Sequence, residues 1–323
     1  MLLPLENPRS MMPPDPPACS VVVCSRNRAG TSLPSALQSL FEQSLPPGDF
    51  EILLIDNAST DHTRELVLEL GRKHTNLRYI HEPRIGVAAA RNRGWREAVG
   101  RWVAYLDDDC VAEPEWLEQI RKAFEEVKPA PGCVGGKISL LWDGPRPGWM
   151  DDAILPGLGL MDWSEEPILL DERHFFGEGN SAYPRHLLEE IGGFEEALGR
   201  IGDRLLSNEG VWVRQRIEEM GYRFYYSPHI AIHHRVATHK LSRRWCLDMF
   251  FWQGASDVLV PMLKQPPTLL QRLRALAHVS ARMLWTLRRV PWMVCKHRDP
   301  RWFYQWCRLS SQAGEFRAWL GAA

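Results

Sequence analysis

The chain has 323 residues, of which 45% are hydrophobic and 24% charged, with a formal net charge of −1. That is ordinary globular composition with ample length for a large buried core, and it excludes a disordered or low-complexity polymer. The charge is unevenly spread: from Lys240 onward 14 Lys and Arg face 4 Asp and Glu, a net +10, which leaves −11 in the residues before it. An acidic body with a basic tail suggests a catalytic or binding domain plus a segment that meets an anionic surface.

The first 18 residues, "MLLPLENPRSMMPPDPPA", are Pro-rich and lack a basic stretch followed by a long apolar core, so they read as a disordered leader rather than a signal peptide. The 7 cysteines are scattered, odd in number and without a CxxC pair. That pattern fits a reducing cytoplasm better than a disulfide framework and argues against a zinc site. No uncharged apolar run reaches the roughly 18 residues that a membrane-spanning helix needs.

"CSVVVCSRN" predicts a short buried strand, and Ser32 and Pro34 then open a helix over "LPSALQSLFEQ". "FEILLIDN" is a second strand ending at Asp56, and "STDHTRELVLELGRKH" begins with capping residues and carries apolar residues at helical spacing. "LRYIHE" is a third strand, "VAAARNRGWREAV" a helix rich in small residues, and "RWVAYL" a fourth strand that runs into Asp107, Asp108 and Asp109. Pro114 opens the next helix, with Trp116, Ile120 and Phe124 four apart. "CVGGKISLLW" reads as a strand, and residues 143 to 172 as a long irregular segment. Trp142, Trp149 and Trp163 in that region suit either stacking on a sugar ring or packing in the core. "FFGEGNSAYPRHLLEEIGGFEE" gives a Gly-rich turn, a helix from Pro184 and a GGF turn. After it come a helix ending at Gly221 and two short strands ending at His233 and His234.

Strands alternating with helices predict an α/β fold with a mostly parallel central sheet. In such sheets ligands collect outside the carboxyl ends of the strands. Asn27, Asp56 and the triplet Asp107 to Asp109 follow three of those ends, so their polar groups are expected to converge on one crevice. Three adjacent carboxylates after a buried strand repel one another and call for a cation.

The succession "VVVCSRNR", "FEILLIDNASTD", "GVAAARNRG", "YLDDD", "GEGNSAYPRHLLEEIGGFEE" and "RIEEMGYRFYYSPHIAIHH" resembles the family 2 inverting glycosyltransferases with the GT-A fold. The resemblance implies a nucleotide-diphosphate sugar donor, an acceptor hydroxyl and Mg²⁺ or Mn²⁺. By position it puts Asp56 at the nucleotide base, Arg91 near the nucleotide and diphosphate, and Asp107 and Asp109 at the ends of a DxD motif that holds the metal and the donor ribose or phosphate; Asn27 and Asp108, at the same strand ends, are further candidates for binding the donor. Asp109 and His234, which has His233 beside it, fall at the metal. It also implies Glu209 as the base that takes the acceptor proton. One departure stands out: a second acidic residue is usual after that position, and this chain has Gly210. The chemistry agrees with these residue types, because a hard divalent cation takes oxygen ligands and lets carboxylates approach a diphosphate.

The expected organisation is the leader at 1–18, a GT-A-like domain at 19–239 and a basic helical extension at 240–323. In the extension, Arg interleaves with apolar and aromatic residues at helical spacing. Two readings of it stand: amphipathic helices on an anionic membrane near a lipid-linked acceptor, or a helical stripe packed on the body or on a second subunit. The function expected is a metal-dependent glycosyltransferase, cytoplasmic or peripheral on the inner face of the cell membrane, with roles in cell-surface glycan or glycolipid synthesis. A non-catalytic nucleotide-sugar or glycan binding protein and a sugar-phosphate nucleotidyltransferase are the alternatives. No recognised nucleic-acid-binding motif is present.

Overall fold

The structure is a computed structural model that describes residues 17–171, 174–202, 204–294 and 301–321. The Pro-rich leader expected at 1–18 lies almost wholly outside the described residues.

The first half follows the predicted order. β1 (Cys19–Ser25), β2 (Phe50–Asp56), β3 (Leu77–His81) and β4 (Trp102–Leu106) alternate with α1 (Leu33–Phe41), α2 (Thr63–Gly71) and α3 (Val87–Glu97). These four strands pair in parallel, in the spatial order β3-β2-β1-β4. Side chains alternate between faces along a strand, and the buried strands divide accordingly. Val21, Val23, Ile52, Leu54 and Ala104 face one way, against Leu37 of α1, Val67 of α2 and Trp116 and Ile120 of α4 (Trp116–Glu126). Val22, Leu53, Ile55, Val103 and Tyr105 face the other, against Ala88, Ala90 and Trp95 of α3.

Beyond β4 the sheet is mixed, not mostly parallel. β5 (Cys110–Ala112), β6 (Cys133–Trp142), β7 (Ile168–Leu169), β8 (Asn180–Pro184) and β9 (Phe224–Val236) complete nine strands, ordered β3-β2-β1-β4-β8-β6-β9-β5 with β7 also on β9. β8 runs antiparallel to both β4 and β6, and β5 antiparallel to β9, whereas β6 and β9 are parallel. The sequence shows why β8 is hard to read. "NSAYP" is buried throughout and carries too few apolar residues to read as a buried strand, and its Pro184 reads as a helix start. The two short strands expected before His233 and His234 are one strand, β9. α5 (Arg185–Ile191) and α6 (Glu209–Glu219) cover the same face as α3.

The irregular segment is partly ordered by a 3₁₀ turn over Asp152–Leu158. Its Met150, Ile154, Leu155 and Leu158 form a separate apolar cluster with Cys246 of α7 (Arg243–Lys264) and Phe303 and Cys307 of α9 (Arg301–Trp319). Trp149 meets Phe303 edge-on at 4.6 Å and Trp142 joins the same cluster, while Trp163 donates to the Phe175 carbonyl at 3.0 Å. All three tryptophans therefore pack. α7 and α9 cover the body, whereas α8 (Leu269–Val294) leaves Leu269, Leu270, Leu273, Leu284 and Leu287 exposed.

Gly94 shows how closely α3 approaches the sheet. A Cβ at this position would overlap Val22 Cγ1 and stand 2.9 Å from its Cγ2. Alanine favours a helix interior by about 1 kcal/mol, but overpacking a core costs about 1–3 kcal/mol. Gly94→Ala is expected to lower the unfolding free energy by about 1–2 kcal/mol in urea titrations; a rise would show that α3 is free to shift.

Candidate active site

Each polar residue at the carboxyl ends of the strands is held by its own set of partners. Asn27 follows β1 with a left-handed backbone, φ 57°. Its Oδ1 accepts from the backbone N–H of Thr60 at 2.7 Å, and its own N–H donates to Ser59 Oγ at 3.0 Å. Asn27 thus ties the loop after β1 to the loop after β2. Asp56 is buried, with Oδ1 accepting from the Ser59 N–H at 2.9 Å and Oδ2 from the Tyr79 hydroxyl at 2.6 Å. Together these residues shape one wall of the crevice.

The small-residue helix α3 has a distinct use for each position. Ala88 and Ala90 let it approach the sheet, and Asn92 holds the GGF turn, accepting from the Phe194 N–H and donating to the Phe194 carbonyl, both at 2.8 Å. Arg91 points into the crevice and is 4% exposed. One guanidinium nitrogen donates to Glu209 Oε1 at the start of α6, and the other donates to Asp107 Oδ1 at 3.1 Å. Burial opposes the charge on Arg91, but Glu209, Asp107 and Glu178 together keep its pKa raised. Glu209 is itself buried, and Asp107 is open to the crevice on its other side.

Asp109 lies at the opposite end of the triplet. Its Oδ1 is 3.3 Å from His234 Nε2, and its Oδ2 accepts from the Lys240 ammonium at 2.9 Å. Burial works against ionisation of Asp109, yet the charges and hydrogen bonds of His234 and Lys240 hold its carboxyl well below the usual range. Asp108, between its two acidic neighbours, is pushed up to about 7 by burial and then by Asp109, with Ser25 and Arg28 opposing and Asp107 adding to the rise.

The two histidines separate cleanly. Successive residues of a strand point to opposite faces. His233 turns to Glu113, 2.6 Å away, and His234 turns to Asp109. His234 Nδ1 sits 2.5 Å from the Leu158 carbonyl, which can only accept, so Nδ1 donates there and Nε2 is turned toward Asp109. A carbonyl fixing one ring nitrogen while the other faces the site is the usual support of a metal-binding histidine. Here the Lys240 ammonium lies 3.3 Å from Nε2 and supplies positive charge beside Asp109. The carboxylate oxygens of Asp109 are donors of the kind that Mn²⁺ or Mg²⁺ takes. Cys110 is close enough to join, and burial, reinforced by Asp109 and Asp107, holds its thiol well above its ordinary value.

Three residues here were not singled out from the sequence: Tyr79, Glu178 and Lys240. Glu178 stands between two glycines, two residues ahead of β8, and β8 pairs Asn180 with Leu106 at the end of β4. The antiparallel direction brings the start of β8 to the carboxyl end of β4, beside the triplet. Asn180 pins that start, accepting from Trp116 Nε1 at 2.7 Å and donating to the carbonyls of Lys137 and Ile230 at 3.0 and 2.9 Å. Gly179 is required there, since a Cβ would come 2.6 Å from Asp107 Oδ2. Glu178 is half-buried as a residue, and its carboxylate accepts from the Tyr183 and Ser181 hydroxyls at 2.9 and 3.1 Å. Burial pushes it up to about 7; Arg91 opposes the rise, Glu209 adds to it, and the two hydroxyls moderate it.

Residues 20–192 match the profile "Glycosyl transferase family 2". The chain is 24% identical over 246 residues to the glucosyl-dolichyl phosphate glucuronosyltransferase of Haloferax volcanii, covering 76% of this chain and 77% of that protein. It is 33% identical over 104 residues to glycosyltransferase AglE of the same organism, covering 32% of this chain and 34% of the relative. Among solved structures, the mannosyltransferase PcManGT from Pyrobaculum calidifontis, in complex with GDP-Man and Mn²⁺, superposes with a TM-score of 0.60 at 19% identity, covering 94% of this chain and 88% of that one. GalNAc-T7 with UDP, GalNAc and Mn²⁺ superposes with a TM-score of 0.53 at 15% identity, covering 79% and 52%. The fold is GT-A, with a mixed sheet and a helical C-terminal region.

Removing one partner of a buried ion pair leaves the other charge uncompensated, at a cost of about 3–5 kcal/mol. Arg91→Met is expected to destabilise the protein by an amount in that range of about 3–5 kcal/mol in chemical denaturation. Adding Glu209→Gln is expected to return part of the loss. A double variant no more stable than Arg91→Met would show that the pair is not coupled.

Proposed function

The chain belongs to glycosyl transferase family 2, and from that premise we propose that it is a metal-assisted inverting enzyme that moves a sugar from a nucleoside-diphosphate donor to a hydroxyl of a lipid-linked acceptor at an anionic membrane surface. That it is a glycosyltransferase follows from the family; the rest of this reading is supported by one observation, that Asn27, Asp56 and the triplet Asp107 to Asp109 lie at the carboxyl ends of the adjacent parallel strands β1, β2 and β4, with His234 beside Asp109. Solved structures of the same fold carry GDP-Man or UDP together with Mn²⁺, which supports the donor class.

The residues divide the donor between them. The loops held by Asn27 and Asp56 wall the nucleoside end, and Asp56, through Tyr79 and Ser59, sets the shape that the base meets. Asp107 and Asp108 face the ribose and diphosphate, with Arg91 limiting the negative charge at Asp107. Asp109 and His234 would hold the divalent ion; when bound, such an ion neutralises charge gathering on the leaving diphosphate. Lys240, already at Asp109, adds a fixed positive charge to the same end of the crevice. The acceptor oxygen forms a bond to the anomeric carbon from the face opposite the breaking bond to the diphosphate, which inverts that carbon, and a carboxylate of the crevice takes the acceptor proton.

The lipid-linked acceptor is supported by the relative from Haloferax volcanii, whose name specifies a dolichyl phosphate sugar, and by α8. Among the described residues no helix is long and apolar enough to cross a membrane. α8 instead exposes Leu270, Leu273 and Leu284 on one side, with Arg274 and Arg288 alongside, an arrangement suited to lying in an anionic interface. The described cysteines are all free, in keeping with attachment on the cytoplasmic side.

Two measurements test this reading. In a thermal-shift panel, UDP or GDP with Mn²⁺ is expected to stabilise the protein, by about 2.7 kcal/mol at one hundred times the dissociation constant. Asp109→Asn is expected to abolish the Mn²⁺-dependent part of the shift; an unchanged shift removes Asp109 from the metal site. The full chain is expected to sediment with phosphatidylglycerol vesicles at low salt and less so at high salt, because salt screens exposed charge. Leu273→Glu with Leu284→Glu is expected to release it. Equal sedimentation of this variant would assign α8 to packing against another protein surface.

A further inference from the structure

We propose that Glu178 is the catalytic base, the carboxylate that takes the proton from the acceptor hydroxyl. This assignment rests on transfer to a hydroxyl as read above. Three acidic side chains surround Arg91, and they differ in what they have left to give. Glu209 is buried and its Oε1 is taken by the guanidinium, so its charge is spent on holding Arg91. Asp107 shares the same guanidinium at 3.1 Å and faces the donor side. Glu178 is half-buried, and among the described residues its hydrogen bonds come from hydroxyls alone, those of Tyr183 and Ser181. Hydroxyl donors orient a carboxylate without neutralising it. A carboxylate pushed up by burial is also a better proton acceptor than an ordinary one.

Gly210 gives the second observation, independent of these contacts. A Cβ built on Gly210 would overlap Glu178 Oε1 and lie 2.5 Å from its Cδ. The Glu178 carboxylate therefore occupies the space into which a side chain at position 210 would project. A position beside Glu209 at the start of α6, where an acidic residue was expected and a glycine is found, is filled by an acidic group delivered from a different element. The loop ahead of β8 supplies the carboxylate that α6 lacks. In the transfer step, the acceptor O–H loses its proton to Glu178 as its oxygen bonds to the anomeric carbon. The bonding pair to the diphosphate oxygen leaves with the nucleoside diphosphate, so charge and atoms balance without a further reactant.

The test uses the full chain with the UDP- or GDP-sugar that gives the largest thermal shift and a polyprenyl-phosphate-linked sugar as acceptor, following release of the nucleoside diphosphate. Glu178→Gln is expected to bind the nucleoside diphosphate within about twofold of wild type and to lower kcat by roughly 10²-fold, with KM for the donor little changed. Azide separates base from scaffold, because it is an anionic nucleophile with no proton to lose. With Glu178→Ala, azide is expected to restore nucleoside diphosphate release, which a displaced Arg91 would not allow. Gly210→Asp alone is expected to lower Tm through the overlap with Glu178, and Glu178→Gly with Gly210→Asp to recover both Tm and part of the turnover. The assignment is overturned if Glu178→Gln keeps the wild-type kcat, or if its turnover falls and azide does not restore release by Glu178→Ala. A loss of turnover in Glu209→Gln that azide rescues, with Glu178→Gln unaffected, transfers the role to Glu209. A wild type that no nucleoside diphosphate stabilises overturns the donor reading itself, and the role of Glu178 with it.

Discussion

The buried guanidinium of Arg91 is the interaction on which the crevice depends. A cation 4% exposed is tolerable only because carboxylates from separate elements converge on it: Asp107 from the end of β4 and Glu209 from the start of α6, with Glu178 of the loop before β8 close behind. The dependence runs both ways. Without the guanidinium, Asp107, Glu178 and Glu209 would crowd like charges into a poorly solvated space, which favours protonation or separation of the elements that carry them. Arg91 thus fixes α6 and the β8 loop relative to the sheet. It can reach them because Ala88, Ala90 and Gly94 let α3 lie close against β1 and its neighbours.

The same logic repeats at Asp109, with Lys240 as the cation. Here the charge comes from the segment just before α7, so the C-terminal region contributes to the site as well as covering the body. The irregular segment 143–172 makes this possible. Its apolar residues form a platform for α7 and α9, and its Leu158 carbonyl orients His234. Lys240, the first residue of the basic tail, therefore pairs with Asp109 of the body. The charge of the tail has two uses: one buried lysine serves the crevice, and the exposed arginines of α8 remain outside.

Sheet direction decides which loops meet. In the parallel part every strand delivers its carboxyl end to the crevice, so chain order predicts the site. β8 runs the other way and delivers its amino end, which places Glu178 and Gly179 against Asp107. β5 and β9 then bring Cys110 opposite His234. The reversal adds a second set of side chains to the row of strand ends, placing Glu178 with Arg91 and Glu209 beside Asp107.

The sequence by itself determined the order of strands and helices through β4 and α4, save the short β5, the placement of Asn27, Asp56 and Asp107 to Asp109 at strand ends, and the presence of apolar, Arg-rich helices after residue 240. Those features are local: apolar runs of strand length, apolar residues at helical spacing and residues that start helices are written within a few neighbours. The tertiary structure alone decided that β8 is a strand and antiparallel, that His234 and not His233 turns to Asp109, that Lys240 reaches the site, and that the carboxylate of Glu178 fills the space above Gly210. Each of these depends on partners far apart in the chain, 131 residues for Lys240 with Asp109 and 118 for Arg91 with Glu209. Residue periodicity states which face of an element is buried, but not which distant side chain will meet it there; that follows only once strand direction and register are fixed.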